Sequence, residues 1–280
     1  MAQLNAFHAH ILEACAQRDL TEPEALRQVK AMGYDGLECD CRQLTEERRQ
    51  WFDDCGLKVA SVYENYDFGY APREENERQI RRHLERAVSF GAKKVLCVPG
   101  FVRKGDDPAA IRRRMAEELC RMVEIARSCG VTVTLEDYDN AASPCSTAMG
   151  LWFFLQNVEG LGFTFDTGNF AYSMEDASDG LHLLGPWLCH VHLKDRSRDA
   201  AFANPQNDNW LADLSGDRMY PCPVGEGWLE LEQWTRMLLR GGYRGSFSVE
   251  HFGAADQMEA LRRSAEHVLG WMAEENAPKA

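Results

Sequence analysis

Eight short apolar runs, each followed by a helical stretch, recur along this 280-residue chain, and that alternation restricts the fold more than any other feature. The runs are Leu4–His8, Tyr34–Glu38, Leu57–Tyr63, Lys94–Val98, Val131–Leu135, Leu161–Phe165, Cys189–Asp195 and Ser246–Val249. The first carries His8 and His10 near its end. Helical patterns open at Thr21, Thr45, Arg73, Asp107, Thr147 and Glu230, another passes through Leu181–Leu184, and the last covers Asp256–Glu275. Thr21 and Glu24 have capping-box spacing, and Pro23 suits a first helical turn. Gly33, Gly56, Gly91, Gly130 and Gly241-Gly242 supply the stops. Parallel strands joined by helical crossovers form either an open doubly wound sheet or a closed barrel.

The ends of the runs favour the barrel. Strand five leads into Glu136, strand six into Asp166 and strand eight into Glu250, and strand seven carries His190, His192, Lys194 and Asp195. Strand side chains alternate between faces, so His190 and His192 share one face. Polar residues at the C-terminal ends of strand after strand are the pattern of a closed (β/α)₈ barrel, whose active sites lie there. No GxGxxG follows the first strand, which disfavours a dinucleotide-binding sheet. Nothing in composition marks a linker, so one α/β domain is expected over 1–280. The connection 196–227 is the longest, and it carries Phe202, Trp210 and Tyr220. It reads as a cover over the substrate, with a subunit contact as the competing reading.

Composition excludes several classes. The formal net charge is −13, from 31 basic and 44 acidic residues, which argues against a general nucleic-acid partner. No run reaches the roughly 18–20 apolar residues of a membrane span. The N-terminal residues lack the basic and apolar regions of a signal peptide. The ten cysteines are scattered without paired zinc spacing, as expected of reduced thiols in a cytoplasm. Self-association into a homo-oligomer is compatible with this composition.

Glu136, Asp166, His192 and Glu250 can meet in a barrel, because strands five to eight are neighbours there. Converging carboxylates repel one another unless a cation lies between them. Three carboxylates with one imidazole suit one divalent ion, Mn²⁺ or Mg²⁺ first, with Co²⁺, Fe²⁺ or Zn²⁺ as further candidates. Such an ion polarises a carbonyl and stabilises an enediolate after α-proton loss. Glu136 and Glu250 could then serve as base and acid. Lys194 is read as binding a substrate oxygen or protonating a leaving hydroxyl, against a salt bridge to Asp195 or Glu226. His190 is expected to be a buried, hydrogen-bonded histidine deeper in the barrel, with a ligand as the competing reading. His8 and Glu64 are placed at the pocket rim.

Gly33-Tyr-Asp-Gly-Leu-Glu38, Leu135-Glu136, Phe165-Asp-Thr-Gly-Asn169, His190-Val-His-Leu-Lys-Asp195, Val224-Gly-Glu-Gly227 and Ser248-Val-Glu250 stand in an order and spacing that carry a resemblance. Over essentially its whole length the chain resembles the xylose isomerase-like barrel superfamily, in particular its sugar-phosphate isomerase and epimerase group. The resemblance implies Glu136, Asp166, His192 and Glu250 as metal ligands and Glu136 and Glu250 as the proton-exchanging pair of a ketose 3-epimerase. Two positions depart from those epimerases. Ala142 stands where they carry a substrate-binding glutamate, and Asn169, assigned here with Lys194, His8 and Glu64 to the substrate, stands where they carry a histidine. Lys194-Asp195 is similar to branches that include inosose dehydratases. The expected activity is isomerisation or epimerisation of a sugar, keto-sugar or polyol derivative. The alternatives are a lyase of the same fold, an endonuclease IV-like hydrolase and a barrel that only binds.

Overall fold

The computed structural model describes residues 2–206 and 208–276. Residue 207 of the long connection, and residues 1 and 277–280 at the ends of the expected domain, lie outside the described residues. The order is β1 (Gln3–Phe7), α1 (His8–Arg18), α2 (Glu22–Ala31), β2 (Gly36–Asp40), α3 (Glu46–Cys55), β3 (Lys58–Asn65), α4 (Arg73–Ser89) and β4 (Lys94–Val98). It continues with α5 (Pro108–Ser128), β5 (Thr132–Glu136), α6 (Ala148–Asn157), β6 (Gly162–Asp166), α7 (Ala177–Leu184) and β7 (Leu188–Ser197). The chain finishes with β8 (Leu211–Ala212), β9 (Arg218–Cys222), α8 (Leu231–Arg240), β10 (Ser246–Glu250) and α9 (Gln257–Asn276). β1 to β7 follow one another across the sheet and β10 pairs with both β1 and β7, so eight parallel strands close into a (β/α)₈ barrel.

The helix-start signals become capping hydrogen bonds. Glu24 Oε2 accepts from Thr21 N at 3.0 Å before α2, and Thr45 Oγ1 accepts from Arg48 N at 3.2 Å before α3. Asp107 Oδ1 accepts from Ala109 N at 3.0 Å, and Thr147 Oγ1 from Gly150 N at 3.1 Å. Caps of this kind are worth about 1 kcal/mol each. One helix escapes this reading. α1 starts directly at His8 with no side-chain cap on Phe7, so the first strand ends at Phe7 and both His8 and His10 are helical. The long connection is not structureless either, because β8 and β9 form an antiparallel hairpin and β9 pairs with the end of β7.

The described residues pack as two compact units, one drawn from 2–38, 45–58, 191–206 and 208–276, the other from 39–44 and 59–190. In the first, β1 lies between β10 and β2, with Asn5 opposite both Ser248 and Gly36 and Phe7 opposite Glu38. β10 runs beside β7 with Ser248 opposite His192 and Glu250 opposite Lys194. Parallel partners point to the same face, so Phe7, Glu38, His192, Lys194 and Glu250 share one face of this sheet. In the second unit, Leu96 is opposite Thr134 and Glu136 is opposite Thr164. Thr164 Oγ1 donates to Thr134 Oγ1 at 2.8 Å on that shared face. Among the described residues, no helix is long and apolar enough to cross a membrane.

Candidate metal centre

The register of β7 on β10 brings a lysine onto a glutamate. Lys194 Nζ lies 2.6 Å from Glu250 Oε1, and each side chain is only 8% exposed. The alternative partners are engaged elsewhere. Asp195, on the opposite face, accepts from the backbone N–H of Gly225 at 2.9 Å and of Gly227 at 3.0 Å. A side chain at Gly227 would collide with Asp195 and the Arg196 carbonyl, so this glycine permits the close approach. Glu226 pairs with Arg263 at 2.5 Å. The Val224–Gly227 motif is thus a clamp on the end of β7.

His192 is buried beside the same carboxylate. Its Nδ1 lies 3.3 Å from Glu250 Oε2, and its Nε2 lies 3.1 Å from Glu38 Oε2. Phe7 packs its ring against the imidazole at 5.0 Å and 76°. Burial alone would push the Glu250 carboxyl up, but the Lys194 ammonium and the His192 ring outweigh it and hold that carboxyl well below its ordinary range. Glu38 was not singled out as a site residue from the sequence, although it closes the Gly33–Glu38 motif.

In the other unit the ends of β5 and β6 gather like charges. Asp166 Oδ1 accepts from the backbone N–H of Gly168 at 2.8 Å and of Asn169 at 2.9 Å, which fixes the carboxylate by a local turn. Asp137 Oδ1 accepts from Asp166 N at 3.3 Å, and Asn169 Nδ2 donates to the Asp137 carbonyl at 2.8 Å. Asn169 therefore braces this corner. The Asp137 carboxyl is pushed well above its ordinary value by burial, then by the charges of Asp166 and Glu136. Its Oδ2 is buried and makes no hydrogen bond among the described residues. The sequence reading missed Asp137, though it directly follows Glu136. His190 is a buried, hydrogen-bonded histidine, as read from the sequence, with Lys94 Nζ 3.0 Å from its Nδ1.

Two residues expected at the pocket rim lie elsewhere. His8 packs among helices, with Nε2 2.7 Å from Glu22 Oε1 and its ring 5.2 Å from Phe52. It was misplaced because β1 stops one residue earlier than its apolar run. Glu64 is opposite Cys97, and Leu96, one residue earlier, shares the face of Thr134 and Glu136. Alternation therefore turns Glu64 to the other face, where Arg82 Nη2 meets its Oε2 at 3.1 Å. An end-of-strand position was read correctly for Glu64, but with the wrong parity.

One donor atom from each of Glu136, Asp166, His192 and Glu250 lies within 4.8 Å of the other three. This is a possible metal-binding cluster, and its chemistry passes a simple test. Three carboxylates and one imidazole, all buried except the half-buried Glu136, carry an excess negative charge that a divalent cation would cancel, and oxygen-rich donors of this kind suit hard or borderline ions.

Known proteins show the same architecture. Residues 26–274 match the model of the xylose isomerase-like TIM barrel family. An inosose dehydratase from Bacillus thuringiensis (strain Al Hakam) is 22% identical over 225 residues, covering 76% of this chain and 74% of its own length. A putative L-ribulose-5-phosphate 3-epimerase, SgbU of Escherichia coli (strain K12), is 23% identical over 261 residues, covering 86% and 87%. The crystal structure of a xylose isomerase-like TIM barrel protein from Mycobacterium smegmatis in complex with magnesium superposes with a TM-score of 0.68 at 24% identity, over 91% of this chain and 89% of that one. The match over nearly the whole barrel settles the membership: this chain belongs to the xylose isomerase-like TIM barrel family.

Proposed function

We propose that this protein is a metal-dependent isomerase or epimerase of a small sugar, keto-sugar or polyol derivative, working by abstraction of a proton next to a carbonyl. The observation that carries this reading is the four-donor cluster of Glu136, Asp166, His192 and Glu250. These residues would hold one divalent ion, Mn²⁺ or Mg²⁺ by preference. When bound, the ion supplies polarisation of the substrate carbonyl oxygen. Glu250 and Glu136 exchange the proton on carbon, one as base and the other as acid. Lys194, in contact with Glu250, orients that carboxylate and meets a substrate oxygen. Asn169 acts at one remove, by fixing Asp137 and Asp166. The hairpin in the 196–227 connection serves as a cover, and the chain works as one domain on a small molecule in the cytoplasm.

A second reading, dehydration, draws on the same first step. The Lys194 ammonium beside Glu250 is a proton source for a departing hydroxyl. The Bacillus thuringiensis relative carries a dehydratase name. Incubation with an inosose and a panel of ketoses, in the presence of Mn²⁺, separates the two. Isomeric products support the first reading, and loss of one water from the product mass supports the second. The metal assignment is tested by elemental analysis of protein purified without chelator beside a His192→Ala variant. Equal metal content in the two defeats it.

A further inference from the structure

We infer that Glu38 is a positioning residue for the metal centre: it holds His192 in the tautomer and ring orientation that offer Nδ1 to the ion. The inference rests on the metal reading above and adds a residue outside the four donors. Glu38 Oε2 and His192 Nε2 are 3.1 Å apart, and both side chains are 0% exposed. The two residues are 154 positions apart, on strands with β10 and β1 between them, so the contact spans the sheet's inner face rather than following from local sequence.

The chemistry of the pair decides the tautomer. A carboxylate can only accept, so the Nε2 facing Glu38 carries a proton, while any proton on Nδ1, 3.3 Å from the Glu250 carboxylate, is the one a bound cation displaces. With Nε2 committed to Glu38, Nδ1 is the nitrogen left to offer its lone pair to an ion, and it lies 3.3 Å from Glu250 Oε2, one of the four donors. Phe7, packed nearly at right angles to the ring at 5.0 Å, opposes a flip that would exchange the two nitrogens. Partners of this kind fix the orientation of a metal-bound histidine and raise its basicity. A different geometry also deserves separation by experiment, because donor atoms of Glu38, His190 and His192 lie within 4.8 Å of one another as well. In that arrangement Glu38 would itself be a ligand, and an ion would occupy Nε2.

Two measurements test the inference. Long-range ¹H–¹⁵N spectra of metal-free, ¹⁵N-labelled protein report the tautomer of each histidine, and the His192 signals are those lost in His192→Gln. The expected result is a protonated Nε2 in the wild type, with Glu38→Gln lowering the proton occupancy of that nitrogen. A wild-type His192 whose Nε2 carries no proton overturns the inference. Titration with Mn²⁺, followed by the electron paramagnetic resonance of the free ion, gives affinity and stoichiometry. Glu38→Gln is expected to weaken binding by about 10–100-fold while keeping the wild-type stoichiometry, with partial recovery in Glu38→Asp. Unchanged affinity overturns the positioning role, and loss of one ion per chain shows Glu38 to be a ligand instead. If the wild type binds no Mn²⁺, the metal reading fails, whereas the tautomer spectra still report on the Glu38–His192 pair.

Discussion

The end of β10 and the ends of β5 and β6 carry the same kind of residue in opposite electrostatic settings. Glu250 has a lysine at 2.6 Å and an imidazole at 3.3 Å, and its carboxyl is held down. Asp137 has burial, Asp166 and Glu136 against it, and its carboxyl is pushed up. The first arrangement supplies its own countercharge from the neighbouring strand. The second accumulates negative charge, which a cation would relieve. The difference also gives the two regions opposite responses to acid. Stability from Glu250 is present above its ordinary 4.5 and is lost as pH falls toward its lowered folded value. The Asp137 contribution is complete below its ordinary 3.8 and is lost as pH rises through the raised folded value.

The sharpest way to break the comparison is to remove the charge of Glu250 while keeping its shape. Glu250→Gln keeps an oxygen donor but cannot take a proton as a carboxylate does. Once a substrate is identified, turnover is expected to fall by roughly 10²–10⁴-fold, the usual span for a general acid or base, with a much smaller loss of metal affinity. Deuterium from solvent should appear on the carbon next to the carbonyl during wild-type turnover. Turnover with intramolecular hydrogen transfer and no exchange would reduce both glutamates to ligands.

Lys194→Met probes the same end from the other partner. The substitution leaves Glu250 buried without its ammonium, and breaking a buried pair from one side costs about 3–5 kcal/mol. Urea unfolding of chelator-treated protein at neutral pH reads this loss directly. The same variant should recover much of the difference at low pH, where protonated Glu250 no longer needs a countercharge. A loss under about 1 kcal/mol would mean that solvent screens the pair as it does at a surface.

Most of the barrel was legible because its signals are local. The Thr21, Thr45, Asp107 and Thr147 caps and the glycine stops each act within a few residues; Glu136, Asp166 and Glu250 advertise themselves by ending apolar strands, and His192 by interrupting one. What escaped was set by parity and distance. Whether a strand-end side chain faces inward depends on register with its neighbour, which is why Glu64 was assigned to the wrong face. α1 was missed because it begins at His8 directly after β1 ends at Phe7, with neither a turn nor a capping side chain between them. Glu38 finds its partner across 154 positions, and no periodicity encodes such a contact. Asp137 was hidden beside Glu136 because adjacent strand residues are normally split between faces. Here it follows the last residue of β5, where alternation no longer applies.

Asp137→Asn sharpens the other side of the comparison, with the smallest effect of the set. The amide keeps an oxygen to accept from Asp166 N, puts an N–H donor in place of the unbonded Oδ2 and removes the ionisable group that the charges of Asp166 and Glu136 oppose. Well below pH 3.8 the wild-type side chain is neutral in both folded and unfolded protein, so the variant and the wild type should melt at similar temperatures there in the absence of metal. As pH rises, the unfolded wild type ionises while the folded form holds its proton, and the wild type loses about 1.4 kcal/mol for each unit by which the folded value is raised. The variant has no such group and should become progressively the more stable of the two. Saturating Mn²⁺ should narrow the gap, because a bound cation cancels the charges of Glu136 and Asp166 that oppose Asp137. Melting curves of chelated and Mn²⁺-loaded protein from about pH 2.5 to 8 read all of this. A gap independent of pH would show that Asp137 ionises freely, and the carboxylate crowding at β5 and β6 would then have no energetic consequence.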